Sequence, residues 1–316
     1  MSSNYPNGFA GGVTIRGVPL LQTHPGEVFW VNNSSVLPKG GVGGSDGNDG
    51  SYLRPFGTVD YAIGRCTASR GDIIVVMPGY TQTISAAAGW ACDVPGVAII
   101  GLGTGTNKPT ITFSATASDI NISAANVMIS NFRCVSSVDS LVNFIDVDEG
   151  YATIHNCDFV TGSATEALCF IDQATTYDGL TVSGCKFLQP TDPNGTGGAA
   201  GTGGIYLVDS EDILVENCVF RGMFETAAIH NKTTKVQGLH VNNCEFTSTL
   251  TVPFVLVAAS TGEATNCYGS TPGATDVSDA LVFGTLGVSF WIAQSTSLGN
   301  DSNAGGQGAV TGVIAT

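Results

Sequence analysis

Three aspartates stand at equivalent places in three separated stretches and are the residues of this chain best placed to do chemistry. Asp146, Asp172 and Asp209 each close a short apolar run, Phe144-Ile145, Phe170-Ile171 and Leu207-Val208, and Asn231 is next in line. Carried on adjacent turns of a coiled chain, such carboxylates stand ~5 Å apart, or ~10 Å when two turns separate them. Those spacings are near the ones that retaining and inverting glycosidases use, and a carboxylate row can also hold calcium. The plainer reading is that Asp ends strands, because its side chain accepts from nearby turn amides. Asp148, Glu149, Glu211 and Asp212 stand close by and suit a calcium site or a solvated turn better than a nucleophile site.

Other candidates are weaker. His24, His155, His230 and His240 fall at unrelated positions and no Cys-x-x-Cys pair occurs, so a bound transition metal is not expected, nor is any cofactor. The acidic run Ser45 to Gly50 has Gly57 where a calcium loop starting at Asp46 needs a bidentate Glu, and it reads as a turn. The Gly-rich segment Gln189 to Gly204 is followed by no Lys-Ser or Lys-Thr pair, so it is not a phosphate loop. It reads as a loop inserted between strands that touches a neighbouring subunit.

The aspartates are positioned by a repeat. Ile213-Leu214-Val215-Glu216-Asn217-Cys218-Val219-Phe220 recurs with the same chemistry at 127–134, 152–159, 180–187 and 239–246, and in degenerate form at 265–268. Aligning Phe132, Cys157, Cys185, Cys218, Cys244 and Cys267 gives, by subtraction, steps of 25, 28, 33, 26 and 23 residues. A period in this range means one supersecondary unit stacked on itself. At period two the first and third repeat residues point inward, and after a bend Cys and Phe do so again. The bend is filled by Asn131, Asn156, Asn217, Asn243 and Asn266, and elsewhere by Gly101 and Gly184. Asn and Gly are the residues that tolerate a left-handed backbone, and stacked amides can hydrogen-bond along such a row.

The cysteine row, Cys157, Cys185, Cys218, Cys244 and Cys267, is expected as free thiols packed in the core. At the seventh repeat position Arg133, Asp158 and Lys186 alternate in sign, which suggests a solvated ion ladder.

A second strand family, at 110–113, 141–145, 168–171, 205–208, 227–229, 254–257 and 281–283, lies between the copies. Two or more short strands per coil make an all-β chain, a parallel β-helix solenoid. Residues 1–50 lack the repeat and read as an attachment arm; 51–287 form the solenoid, with stacking from near residue 72. A short helix near 58–66, N-capped by Thr58, plugs its open end. Residues 288–316 read as a C-terminal cap and tail.

Of 316 residues 43% are hydrophobic and 12% charged, and a net charge of −15 argues against nucleic acid or an anionic membrane as partner. No apolar run is long enough to span a bilayer and no signal peptide is evident.

Over roughly residues 55–290 the sequence resembles the right-handed parallel β-helix family of pectin-lyase-like fold, through its Asn row and the coil Gly-Asp-Ile-Ile-Val-Val-Met-Pro-Gly at 71–79. The opening stretch at 47–63, Gly-Asn-Asp-Gly-Ser-Tyr-Leu-Arg-Pro-Phe-Gly-Thr-Val-Asp-Tyr-Ala-Ile, is similar to β-helix proteins of bacteriophage virions. The catalytic motifs of the family's polygalacturonases, Asn-Thr-Asp, Asp-Asp and Gly-His-Gly, do not occur, and no cluster of basic residues beside acids suggests a lyase site. The resemblance therefore implies a virion structural protein without catalysis, a homotrimeric capsid decoration protein or head fibre made in the host cytoplasm. Its first 50 residues would grip the major capsid protein or another virion protein. The alternatives are a tailspike or depolymerase using Asp146, Asp172 and Asp209, and an adhesin that binds a host surface glycan through tyrosines such as Tyr151, Tyr177 and Tyr268.

Overall fold

Asparagine in a left-handed backbone turns each coil. Asn131, Asn156, Asn217, Asn243 and Asn266 have φ between 50° and 66°, and Gly184 takes the same place at 66°. The amides bond along the stack: Asn156 Nδ2 donates to Asn131 Oδ1 at 2.9 Å and Asn243 Nδ2 to Asn217 Oδ1 at 2.7 Å. Gly101 differs from expectation. The left-handed residue of its coil is Gly103, with φ 101°, and Gly101 is glycine because a Cβ there would lie 2.4 Å from the Asn131 carbonyl oxygen.

The computed structural model describes residues 26–189 except 36, 163, 174 and 175, residues 201–271 except 223, 232, 233, 249–253 and 258, and short strands nearer both ends. A representative coil runs Met128–Ser130, the Asn131 bend, Arg133–Ser136, then Ile145–Val147. Each coil strand pairs in parallel with its counterpart one coil on, forming three long sheets. Strands of the first sheet precede the Asn bend, those of the second follow it, and the third closes the coil. Thr110–Phe113, placed with the second strand family by sequence, belongs instead to the second sheet, in register with Arg133–Ser136. The coil thus has three strands, the right-handed parallel β-helix expected.

Side chains of one kind stack in the core. Ile129, Ile154, Val182, Val215, Val241, Ala264 and Ile292 are in register down the first sheet and all are buried. In the second sheet Phe159, Phe187, Phe220 and Phe246 stack with centroids 5.2, 4.4 and 5.0 Å apart and planes within 12°. The five repeat cysteines are buried free thiols. Each donates to the carbonyl two residues back, as Cys218 Sγ does to Glu216 O at 3.2 Å, and burial pushes Cys185 well above its ordinary pKa.

Both ends depart from the expected boundaries. Val28–Val31, inside the segment read as an arm, is the first strand of the first sheet and pairs with Ile73–Val76, so stacking starts well before residue 72. The helix Val59–Ile63 lies against this end with Val59, Ala62 and Ile63 buried, and Thr58 Oγ1 caps it by accepting from Tyr61 N–H. Asp46 fastens the loop to it by accepting from the N–H groups of Gly57 and Thr58 at 2.9 and 3.0 Å. At the other end Ser289–Ala293, expected as a cap, is a further coil strand paired in parallel with Thr261–Thr265. The return strands Gln307–Val310 and Val313–Ile314 pair antiparallel with that coil. They cover edges that would otherwise recruit another chain. Most of the Gly-rich segment, 190–200, lies outside the described residues, but Gly201–Leu207 is a strand and not part of a loop.

The ion ladder also differs. Arg133, Asp158 and Lys186 are in register, yet Asp158 pairs with the buried Lys108 at 2.9 Å. The Lys108 ammonium, taken out of water, needs a carboxylate and finds it two coils away, together with the Asn156 carbonyl oxygen at 2.6 Å.

Candidate functional site: the outer row of the third sheet

The third sheet presents its polar row outward because the neighbours of each row residue face the core. Ile145 and Val147 flank Asp146, Ile205 and Leu207 flank Tyr206, and all four flanking residues are buried. Read by register, the row is Asn121, Asp146, Asp172, Tyr206, His230 and Val255. Two of the three expected aspartates are therefore adjacent.

Asp209 is not in the row. It lies three residues beyond Tyr206, in a left-handed turn with φ 34°, and its N–H donates to Thr234 Oγ1 at 3.0 Å. The cause is the strand Gly201–Leu207, which pairs with the preceding coil in one unbroken register, Cys169 with Gly203, Ile171 with Ile205 and Asp172 with Tyr206. Asn231 is also displaced. It pairs with Leu207 and is a buried structural amide, donating to Thr234 O at 2.7 Å and Ser260 Oγ at 3.0 Å and accepting from Val257 N–H at 2.8 Å.

Tyr206 and His230 take the vacated places; sequence reading did not single out Tyr206, and His230 stood out only as a histidine beside Asn231. The signal was present, since Ile205-Tyr206-Leu207 has the same in-out-in alternation as Ile145-Asp146-Val147. Their rings meet at 4.1 Å with planes 57° apart. The His230 imidazole lies over Gly203, where a Cβ would come within 2.4 Å of the ring. Burial, then the Asp172 carboxylate, pushes the Tyr206 phenol above its ordinary pKa, so at neutral pH it is a donor. Asp148, beside the row, accepts from Asn121 Nδ2 at 2.8 Å.

Close by, at the corner that feeds this sheet, Glu166 is buried. Burial, and then the neighbouring Asp139, raises its pKa. Among the described residues no group of three or more His, Cys, Asp or Glu is arranged to hold a metal ion, and the calcium candidates Asp146, Asp172 and Asp209 do not converge.

Chemically the row offers two half-buried carboxylates and a half-buried phenol over two coil steps, ~10 Å at the strand spacing, while the His230 imidazole is buried beside Tyr206. Such a line of acceptors and donors fits an extended polyhydroxylated chain better than a compact ligand. Adjacent-coil carboxylates also fall near the separation of a retaining pair, ~5 Å.

The fold defines the class of architecture to which the chain belongs, a parallel β-helix. No family model matches the sequence, and no curated protein does. Among solved structures, a rhamnogalacturonan lyase is similar with a TM-score of 0.50 at 12% identity, over 78% of this chain and 69% of that one. At such identity the likeness establishes the fold and carries nothing about substrate.

Proposed function

We propose that this chain is a structural protein of a bacteriophage virion, a capsid decoration or head-spike subunit that stands as a homotrimer and is mounted by its N-terminal end. The observation that carries the reading is where apolar surface is exposed. Of the eleven exposed large hydrophobic residues among those described, six lie between residues 28 and 61: Val28, Leu37, Val42, Tyr52, Leu53 and Tyr61. On the edge strand Val28 and Trp30 face outward, the Trp30 ring meets Tyr52 edge-on at 4.9 Å, and Val42 N–H bonds Leu53 O at 2.9 Å. A gathered apolar patch on a chain of net charge −15 marks a surface that is covered in the assembled state. The capsid protein is the partner this reading assigns to it, with residues 1–50 adding to the grip, and the trimer follows from the resemblance to virion β-helices. Changing Val42 and Leu53 to Asp should lower the copy number in purified particles at least about tenfold, a loss of ~1.4 kcal/mol of attachment. The isolated chain should keep its unfolding midpoint. Wild-type occupancy of the double variant would refute the mounting surface.

A second reading, a tailspike or depolymerase, rests on a different observation, the register pairing of Asp146 with Asp172. If polysaccharide cleavage is present and Asp146→Asn with Asp172→Asn abolishes it in a folded protein, catalysis on the third sheet replaces the purely structural role. Retained cleavage would remove the row from the chemistry.

A further inference from the structure

We infer that the corner between the first and second sheets, far along the chain from the mounting end, carries a binding site for a neutral oligosaccharide. A recess of about 490 Å³ opens there, lined by Asn217, Val219, Asn243, Glu245, Asn266 and Tyr268. That volume lies within the ~300–1,000 Å³ of small-ligand sites.

The polar lining arises where the asparagine row is interrupted. Asn217 has Gly184, and no amide, one coil below it, because Glu216 pairs with Ser183. Asn243 Nδ2 donates to Asn217 Oδ1 at 2.7 Å. One coil further, Asn266 Nδ2 turns aside to Asn242 Oδ1 at 3.5 Å and leaves Asn243 Oδ1 uncovered. The two-residue amide segment therefore ends in a donor, Asn217 Nδ2, and an acceptor, Asn243 Oδ1, neither of which has a protein partner among the described residues. Elsewhere in the row, Asn131 Nδ2 is satisfied by the Gly101 and Gly103 carbonyl oxygens at 2.7 and 3.1 Å, so the free donor, beside an acceptor, is particular to this corner.

The apolar lining comes from the second sheet. Val219, Glu245 and Tyr268 are in register on its outer side, and Tyr268 is exposed. An exposed ring beside a donor and an acceptor is the combination that a sugar meets with its C–H face and its hydroxyls. The Glu245 carboxylate is taken by Arg221, at 2.8 and 3.2 Å, which leaves little attraction for a cation. Glu216 and Glu263 nearby, with the net charge of −15, oppose an anionic sugar. A neutral one remains.

Saturation-transfer NMR on the full chain with maltotriose, mannotriose and galactotriose tests this. At least one should receive saturation at concentrations ~10 times a 1 mM Kd. Asn217→Gly, which keeps the left-handed bend and removes the donor, and Tyr268→Ala should each weaken that binding about tenfold, while Tyr151→Ala, at a different corner, should leave it unchanged. Transfer to none of the three sugars would overturn the site. So would binding that survives Asn217→Gly at full strength, a variant chosen because Gly184 already occupies the same bend without harm.

Discussion

Phe220→Ala should lower the stability of the chain by about 3–5 kcal/mol, in the upper half of that range, as read from urea unfolding. Phe220 lies between Phe187 at 4.4 Å and Phe246 at 5.0 Å, with planes 5° and 12° from parallel. In an ordinary core the neighbours of a truncated ring relax into part of the space. Here Phe187 and Phe246 are fixed by the backbone ladders of their own coils at the strand spacing, ~4.8 Å per step, and cannot close on one another. Phe220→Leu, which fills most of the volume, should cost no more than about 1.5 kcal/mol. A loss below about 1 kcal/mol for the alanine variant would mean that the rings do not stack in this register.

The second large effect lies at the start of the solenoid. Asp72 is fully buried and accepts from Arg70 Nε at 2.6 Å, Arg70 Nη2 at 2.7 Å, Thr67 N–H at 2.7 Å and Glu27 N–H at 2.8 Å. It thereby ties the first coil, which contains Glu27, to the second. Burial alone would raise its pKa, but the guanidinium and the two amides outweigh burial and hold the carboxyl below its ordinary 3.8. Asp72→Ala should cost about 3 kcal/mol, toward the low end for breaking a buried pair, because Arg70 is partly exposed and can turn to water. The sign with pH follows from the depressed value. The carboxylate's stabilisation is complete above the unfolded value of 3.8 and is lost as pH falls through it toward the lower folded value. The difference between wild type and variant, measured by urea midpoint, should therefore be flat near neutrality and shrink below about pH 4. A difference that persists undiminished at pH 2 would show that packing rather than charge holds this junction.

Much of the architecture was legible because the fold repeats its chemistry. Asn at 131, 156, 217, 243 and 266 marks one backbone conformation, and only a few residue types accept it. The buried cysteine and phenylalanine rows follow from counting one and three residues past the Asn bend. What sequence could not give is register where the repeat is irregular. Leu207-Val208-Asp209 looks like Phe170-Ile171-Asp172, but the strand begins early, at Gly201, and pairs Ile205 with Ile171, so Tyr206, not Asp209, meets Asp172. Glycines there were read as loop, since nothing local distinguishes a glycine strand from a turn. The first and last coils were missed for a related reason. Val28–Val31 and Ser289–Ala293 carry the inward alternation, with Val31, Phe290 and Ile292 buried, but they lack the Asn-Cys signature. The free donor at Asn217 follows from Gly184 one coil below, but the free acceptor at Asn243 depends on which way the Asn266 amide turns one coil above, and no pattern in the chain records that.

Where the protein sits and which end is attached decide its role. Cryo-electron microscopy of particles that contain it should find trimers at lattice positions on the capsid surface, each with the coil of Val28–Val31 and the Tyr52-Leu53 loop against the shell and the Ser289–Ala293 coil pointing away. Density confined to the tail, or columns seated by the opposite end, would contradict it.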